Sequence, residues 1–117
     1  MRAISLASLV ALAVLSTAAP ASAAALEEQF VCGSSPTPAG WTVTAWLHNA
    51  SCGAGPLNPL YNWKRITRVD NLPIGSHLVM CSTQSVPNGW FAINPVTSGA
   101  CQYNGGSVNA IAIRRAF

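Results

Sequence analysis

Residues 32–52 read CGSSPTPAGWTVTAWLHNASC, and residues 81–101 read CSTQSVPNGWFAINPVTSGAC. Both stretches run from a cysteine across five residues to a proline, then one residue, Gly-Trp, ten residues and a second cysteine. The matched positions are Cys32, Pro38, Gly40, Trp41 and Cys52 in the first copy, and Cys81, Pro87, Gly89, Trp90 and Cys101 in the second. After a two-residue slip the match resumes, with Asn62, Ile66 and Arg68 answering Asn109, Ile113 and Arg115. Eight positions agree, rare tryptophan and cysteine among them, so the chain holds a duplicated unit covering about residues 30–68 and 79–115.

Each unit reads as β-structure. Trp41–Leu47 alternates β-branched and aromatic residues, and Tyr61–Val69 and Val108–Arg114 are similar. Short apolar stretches, Phe30-Val31 and Leu78-Val79-Met80, lead into the first cysteine of each unit. Proline and glycine punctuate the intervals, and Asn88-Gly89, Asn58-Pro59 and Asn104-Gly105-Gly106 supply turn residues. Three strands per unit follow, six in all, with almost no helix. A unit of about 40 residues buries too little apolar surface to stand alone, so each copy must cover the other. The expected fold is all-β: two tandem three-stranded repeats forming a pseudo-twofold β-sandwich or small barrel, stapled by disulfides.

Upstream, Met1-Arg2 is followed by an alanine-rich apolar run and then Ala21-Ser22-Ala23, the pattern of a cleaved signal peptide over residues 1–23. Removing those 23 of 117 residues leaves 94, one domain over residues 24–117, and lowers the net charge from +3 to +2. No later stretch approaches the run of about 20 apolar residues that spans a bilayer. A secreted or periplasmic protein is expected, with no transmembrane segment after cleavage. Cys32, Cys52, Cys81 and Cys101 then read as two disulfides. Pairing within each unit, 32–52 with 81–101, makes each a closed copy of the other. The pairings 32–81 with 52–101, and 32–101 with 52–81, satisfy the same exchange symmetry. Metal binding would require close cysteine pairs that the sequence lacks, so no metal and no cofactor are expected.

The Cys-x5-Pro-x-Gly-Trp unit resembles a pattern in small secreted bacterial proteins that carry it once or in tandem. The resemblance covers most of the mature chain. It implies export and a repeat architecture, and it carries no functional residues across.

Residues shared by both copies serve what the copies share, the fold. Trp41 and Trp90 are assigned to the core, Pro38-x-Gly40 and Pro87-x-Gly89 to turns, Asn62 and Asn109 to local backbone bonding, and Ile66 and Ile113 to the interior. Positions that differ are free for function. Strict strand alternation from Trp41 places Trp46 and His48 on the opposite, polar face, and puts Tyr61, Trp63 and Arg65 on a common face. The second copy has Pro95 for Trp46 and Ala110 for Trp63. Trp46, His48, Tyr61, Trp63 and Arg65 are therefore the candidate binding residues, the rings offering rigid area with polar tips. The basic residues Lys64, Arg65, Arg68, Arg114 and Arg115 would gather at one sheet end and favour anionic partners.

Catalytic material is sparse. The acids are Glu27, Glu28 and Asp70, and no Gly-x-Ser-x-Gly elbow or phosphate loop occurs. A non-enzymatic module is expected, binding an extracellular glycan or envelope polymer. The alternative is an exported inhibitor or antagonistic toxin acting on a protein or envelope target. The mild charge argues against nucleic acid as a partner.

Overall fold

A computed structural model describes residues 26–57, 60–104 and 107–117. The expected signal peptide, the Asn58-Pro59 turn and Gly105-Gly106 lie outside the described residues. The described residues are all-β, with β1 (Glu28–Cys32), β2 (Trp41–Leu47), β3 (Trp63–Arg68), β4 (His77–Cys81), β5 (Trp90–Val96) and β6 (Ala110–Arg115). Short 3-10 turns occupy Ala50–Cys52 and Gly99–Asn104. No helix among the described residues is long and apolar enough to cross a membrane. Two antiparallel three-stranded sheets form, ordered β1-β3-β2 and β4-β6-β5. They pack in a sandwich-like arrangement that does not close into a barrel.

The repeated residues build the same parts twice. In the turn before β2 the Trp41 N–H donates to Pro38 O, and before β5 the Trp90 N–H donates to Pro87 O, both at 3.1 Å. Gly40 and Gly89 sit at φ 85° and 89°, the third position of a turn that requires positive φ. Their carbonyls then catch the chain leaving the last strand of each repeat: Val69 N at 2.8 Å on Gly40 O, and Ala116 N at 2.7 Å on Gly89 O. Side chains would collide here, because a Cβ on Gly40 would meet the Asp70 carboxylate, and one on Gly89 would lie 2.6 Å from Phe117 O.

The paired asparagines close the other end. Asn62 Oδ1 accepts from Asn49 N at 2.9 Å, while its Nδ2 donates to Asn49 O at 2.9 Å and Gly53 O at 2.6 Å. Asn109 does the same to Ser98, accepting from its N at 2.7 Å and donating to its O at 3.1 Å. Each amide thus replaces a neighbouring strand for backbone groups just past β2 or β5, which is why a buried polar residue recurs at this position. Disulfides link Cys32 to Cys52 and Cys81 to Cys101, each across 20 residues, which excludes both cross-repeat pairings. The reading of the shared residues as scaffold matches these contacts. Ile66, Ile113 and Trp90 are buried; Trp41 is half-buried and packs against the core of its sheet.

The repeats meet through unlike strands. β2 of the first lies against β4 and the Gly99–Asn104 turn of the second. Thr42 Oγ1 donates to Met80 Sδ at 3.6 Å, and Trp46 Nε1 donates to Thr83 Oγ1 at 3.1 Å. One core gathers Val43, Trp46 and Ile66 with Cys81, Cys101 and Ala110; a second gathers Val69, Leu72, Met80, Trp90 and Ile113.

Candidate binding site

The site expected from alternation changes at Trp46. Register runs Val43↔Ile66 and then Ala45↔Arg65, so Thr44 is an extra residue in β2, a β-bulge. Past the bulge the alternation shifts by one. Trp46, opposite Lys64, returns to the inner face with Val43 and is only 6% exposed. The expectation that Trp46 lies on an outer polar face is corrected: it is a core residue at the seam between the repeats. Tyr61 is half-buried and packs against that same core, so it too leaves the proposed aromatic set. His48 is exposed just past the end of β2. It makes no hydrogen bond, ion pair or ring contact with the remaining candidates among the described residues.

Trp63 and Arg65 remain together on the outer face of the first sheet, and the structure adds Phe30. β1 pairs with β3 as Phe30↔Arg65 and Cys32↔Trp63, which sets Phe30 beside the Trp63 ring. Their centroids are 4.8 Å apart with a tilt of 31°. Phe30 is 50% exposed. Leu47, opposite Trp63 on β2, extends the apolar strip. Arg65 closes it. Its Nε donates to Thr44 Oγ1 at 2.9 Å, its Nη2 donates to Thr44 O at 3.3 Å, and Glu28 Oε2 lies 3.6 Å from Nε. The bulge therefore fixes the guanidinium through the residue it inserts. Thr44 Oγ1 also shares a 2.8 Å hydrogen bond with Thr67 Oγ1, so the support beneath Arg65 is itself bonded. The result is a tilted pair of rings in contact, edged by a held cation and a carboxylate.

The other basic residues are not a common anion site. Lys64 points inward, where its Nζ donates to Ser35 O at 2.7 Å and Gly33 O at 3.3 Å and lies 5.8 Å from the Trp46 ring. Burial lowers its pKa from the ordinary lysine value. Arg68 and Arg115 do converge near Asp70, but their donors are used within the chain. Arg68 Nε donates to Asp70 Oδ1 at 2.7 Å, an ion pair that raises the guanidinium pKa, and Arg68 Nη1 reaches Glu27 at 3.4 Å. Arg115 Nη1 donates to the carbonyls of Val69, Asp70 and Leu72 at 3.1, 2.8 and 3.0 Å, tying down the connection between the repeats. The expected gathering of free positive charge is corrected: Arg65, Arg68 and Arg115 bind backbone and acids, Lys64 is interior, and Arg114 is exposed by itself on β6.

A trough follows the seam. Its larger part, about 520 Å³, lies between the Thr37–Trp41 and Gln84–Asn88 segments beside Asp70. A smaller part of about 350 Å³ reaches Trp46, Lys64 and Thr83, and the two share Thr37 and Gln84. These volumes fall in the range of small-ligand sites. The trough's strongest polar groups, Lys64, the Trp46 indole and Asp70, are already matched within the chain, whereas the Phe30–Trp63 strip has ring surface open to solvent. No group of three or more metal-ligating side chains occurs among the described residues.

Sequence reasoning missed Phe30 because its neighbour is decided by strand order, with β3 central and β1 at its far edge. The available signal was its separation by two residues from Cys32, which puts both on one face of β1. Comparison of the chain with protein-family models, with curated proteins and with solved structures gives no match.

Proposed function

We propose that the protein is a secreted, non-catalytic module that binds an extracellular glycan or cell-surface polymer through the outer face of its first sheet. The observation that carries the reading is the Phe30–Trp63 pair, two rings 4.8 Å apart, one of them half exposed, beside the fixed Arg65 guanidinium. Sugar rings offer apolar C–H faces and peripheral hydroxyls. An exposed aromatic strip accepts the former, and a guanidinium–carboxylate edge bonds the latter. The second sheet has Val79, Ala110 and Ala112 at the matching positions, so the proposed site belongs to the first repeat alone. Export fits the two disulfides, which persist in an oxidising compartment.

The test is binding of the mature oxidised protein to a polysaccharide panel, read by pull-down and then by titration. Phe30→Ala with Trp63→Ala is expected to weaken binding at least about tenfold, a loss of about 1.4 kcal/mol, with an unchanged far-ultraviolet spectrum. Binding that survives both substitutions removes the assignment.

One observation favours a second reading, an exported inhibitor presenting a rigid loop. Ile74 is 71% exposed at the tip of the segment that Arg115 clamps. Co-purification with a protease, lost on Ile74→Asp, would favour that reading over the glycan.

A further inference from the structure

The two repeats use a head-to-tail contact, and each half of that contact recurs unused on the other repeat. In the first repeat the consecutive β2 residues Thr42 to Trp46 are all buried; their counterparts in β5, Phe91 to Pro95, are all exposed. In the second repeat Met80 and Cys81 of β4 are fully buried; their β1 counterparts, Val31 and Cys32, are only half-buried. Two positions of the exposed tail are more apolar than their counterparts, Phe91 at 45% and Ile93 at 47% exposure where the first repeat has Thr42, against Met80, and Thr44, beneath Arg65. Lone exposed apolar residues need no explanation, but these stand on β5 at the positions that β2 uses beside the second repeat.

We propose that a second copy of this chain covers β5, its β1 side and Ala50–Cys52 turn seating there as β4 and the Gly99–Asn104 turn seat on β2. The repeat fits that occupant: β5 is the counterpart of β2 and β1 the counterpart of β4, so the chain carries a second copy of each strand in the contact it already makes. Residues 77–117 contain no aspartate or glutamate, and Arg114, opposite Phe91 in the sheet, is exposed; β1 carries Glu28, and Glu27 precedes it. The tail thus carries an exposed cation, whereas the head's two carboxylates already pair with Arg65 and Arg68. Side-chain packing, not sheet extension, is the mode. β2 and β4 belong to separate sheets in the internal contact, and Pro95 denies an N–H to any ladder on the open edge of β5. An interface of this kind joins unlike surfaces, so copies add in sequence and end as a ring or a filament. By the same correspondence Val79, the counterpart of Phe30, remains exposed beside the internal contact, whereas Ala110, the counterpart of Trp63, is buried in the core the repeats share.

Sedimentation velocity and light scattering on the mature oxidised protein, over a concentration series, test this. Wild type is expected to reach at least twice the monomer mass. The tail variant Phe91→Thr with Ile93→Thr, which installs the first repeat's residue types, is expected to raise the apparent dissociation constant at least about tenfold. The head variant Glu28→Arg with Ser34→Arg alters two exposed positions, Ser34 being the counterpart of Thr83. It is expected to be monomeric alone and to form a heterodimer when mixed with the tail variant, since each retains the half the other lacks. Circular dichroism and melting curves establish that both variants are folded. A wild type that stays monomeric, folded variants that associate like wild type, or a mixture that forms no heterodimer each overturns the proposal.

Discussion

Replacing Asn62 or Asn109 with alanine removes a backbone clamp and leaves its partly buried backbone partners without that bond. Asn62 is 2% exposed and makes three hydrogen bonds, to Asn49 N, Asn49 O and Gly53 O; Asn109 makes two, both to Ser98. At about 1 kcal/mol net per bond, Asn62→Ala costs about 3 kcal/mol and Asn109→Ala about 2 kcal/mol. For a domain of this size those losses lower the melting temperature by about 12–24 °C and 8–16 °C. The sites lie in different repeats and share no partner, so the double variant should lose about 5 kcal/mol. Asn62→Asp is more severe than alanine. The carboxylate keeps the acceptor for Asn49 N but loses both donors, and its charge faces two carbonyl oxygens. Urea unfolding of the oxidised mature protein, followed by tryptophan fluorescence, measures all four variants. Alanine variants within 0.5 kcal/mol of wild type (about the spread of ordinary surface substitutions), or an aspartate variant as stable as wild type, would refute the reasoning.

Reduction of the disulfides should lower stability by about 6 kcal/mol in the chain-entropy model, each 20-residue loop contributing about 3 kcal/mol. A urea midpoint unmoved by dithiothreitol would contradict this. Trp46→Ala should cost about 3–5 kcal/mol as a core truncation, whereas Trp63→Ala, on the outer face, should cost about 1 kcal/mol; comparable losses in denaturant titrations would place both rings in one environment.

Much of the fold was legible because the repeat compares the chain with itself. Positions that agree between copies turned out to be turn, clamp, disulfide and core residues: Gly40 and Gly89 under their tryptophans, Asn62 and Asn109 on strand ends, Ile66 and Ile113 inside. The site was legible in part. Trp63 and Arg65 share a face because β3 runs without interruption opposite β1. Trp46 could not be placed by counting from Trp41, because the bulge at Thr44 adds one residue and a threonine there carries no marker of it. The charges misled for a related reason. Arg68 and Arg115 stand at matched positions, as expected, but the partners that use them, Asp70 and the Val69–Leu72 carbonyls, belong to the connection between repeats. That connection has no counterpart in the repeat pattern.

The central claim is that two copies of one β unit are each closed on themselves. Tryptic digestion without reduction tests it directly, because Lys64, Arg65 and Arg68 lie between Cys52 and Cys81. Mass spectrometry should find two separate disulfide-containing products, one holding Cys32 with Cys52 and the other Cys81 with Cys101. A single species joining peptides from both sides of Arg68 would contradict it.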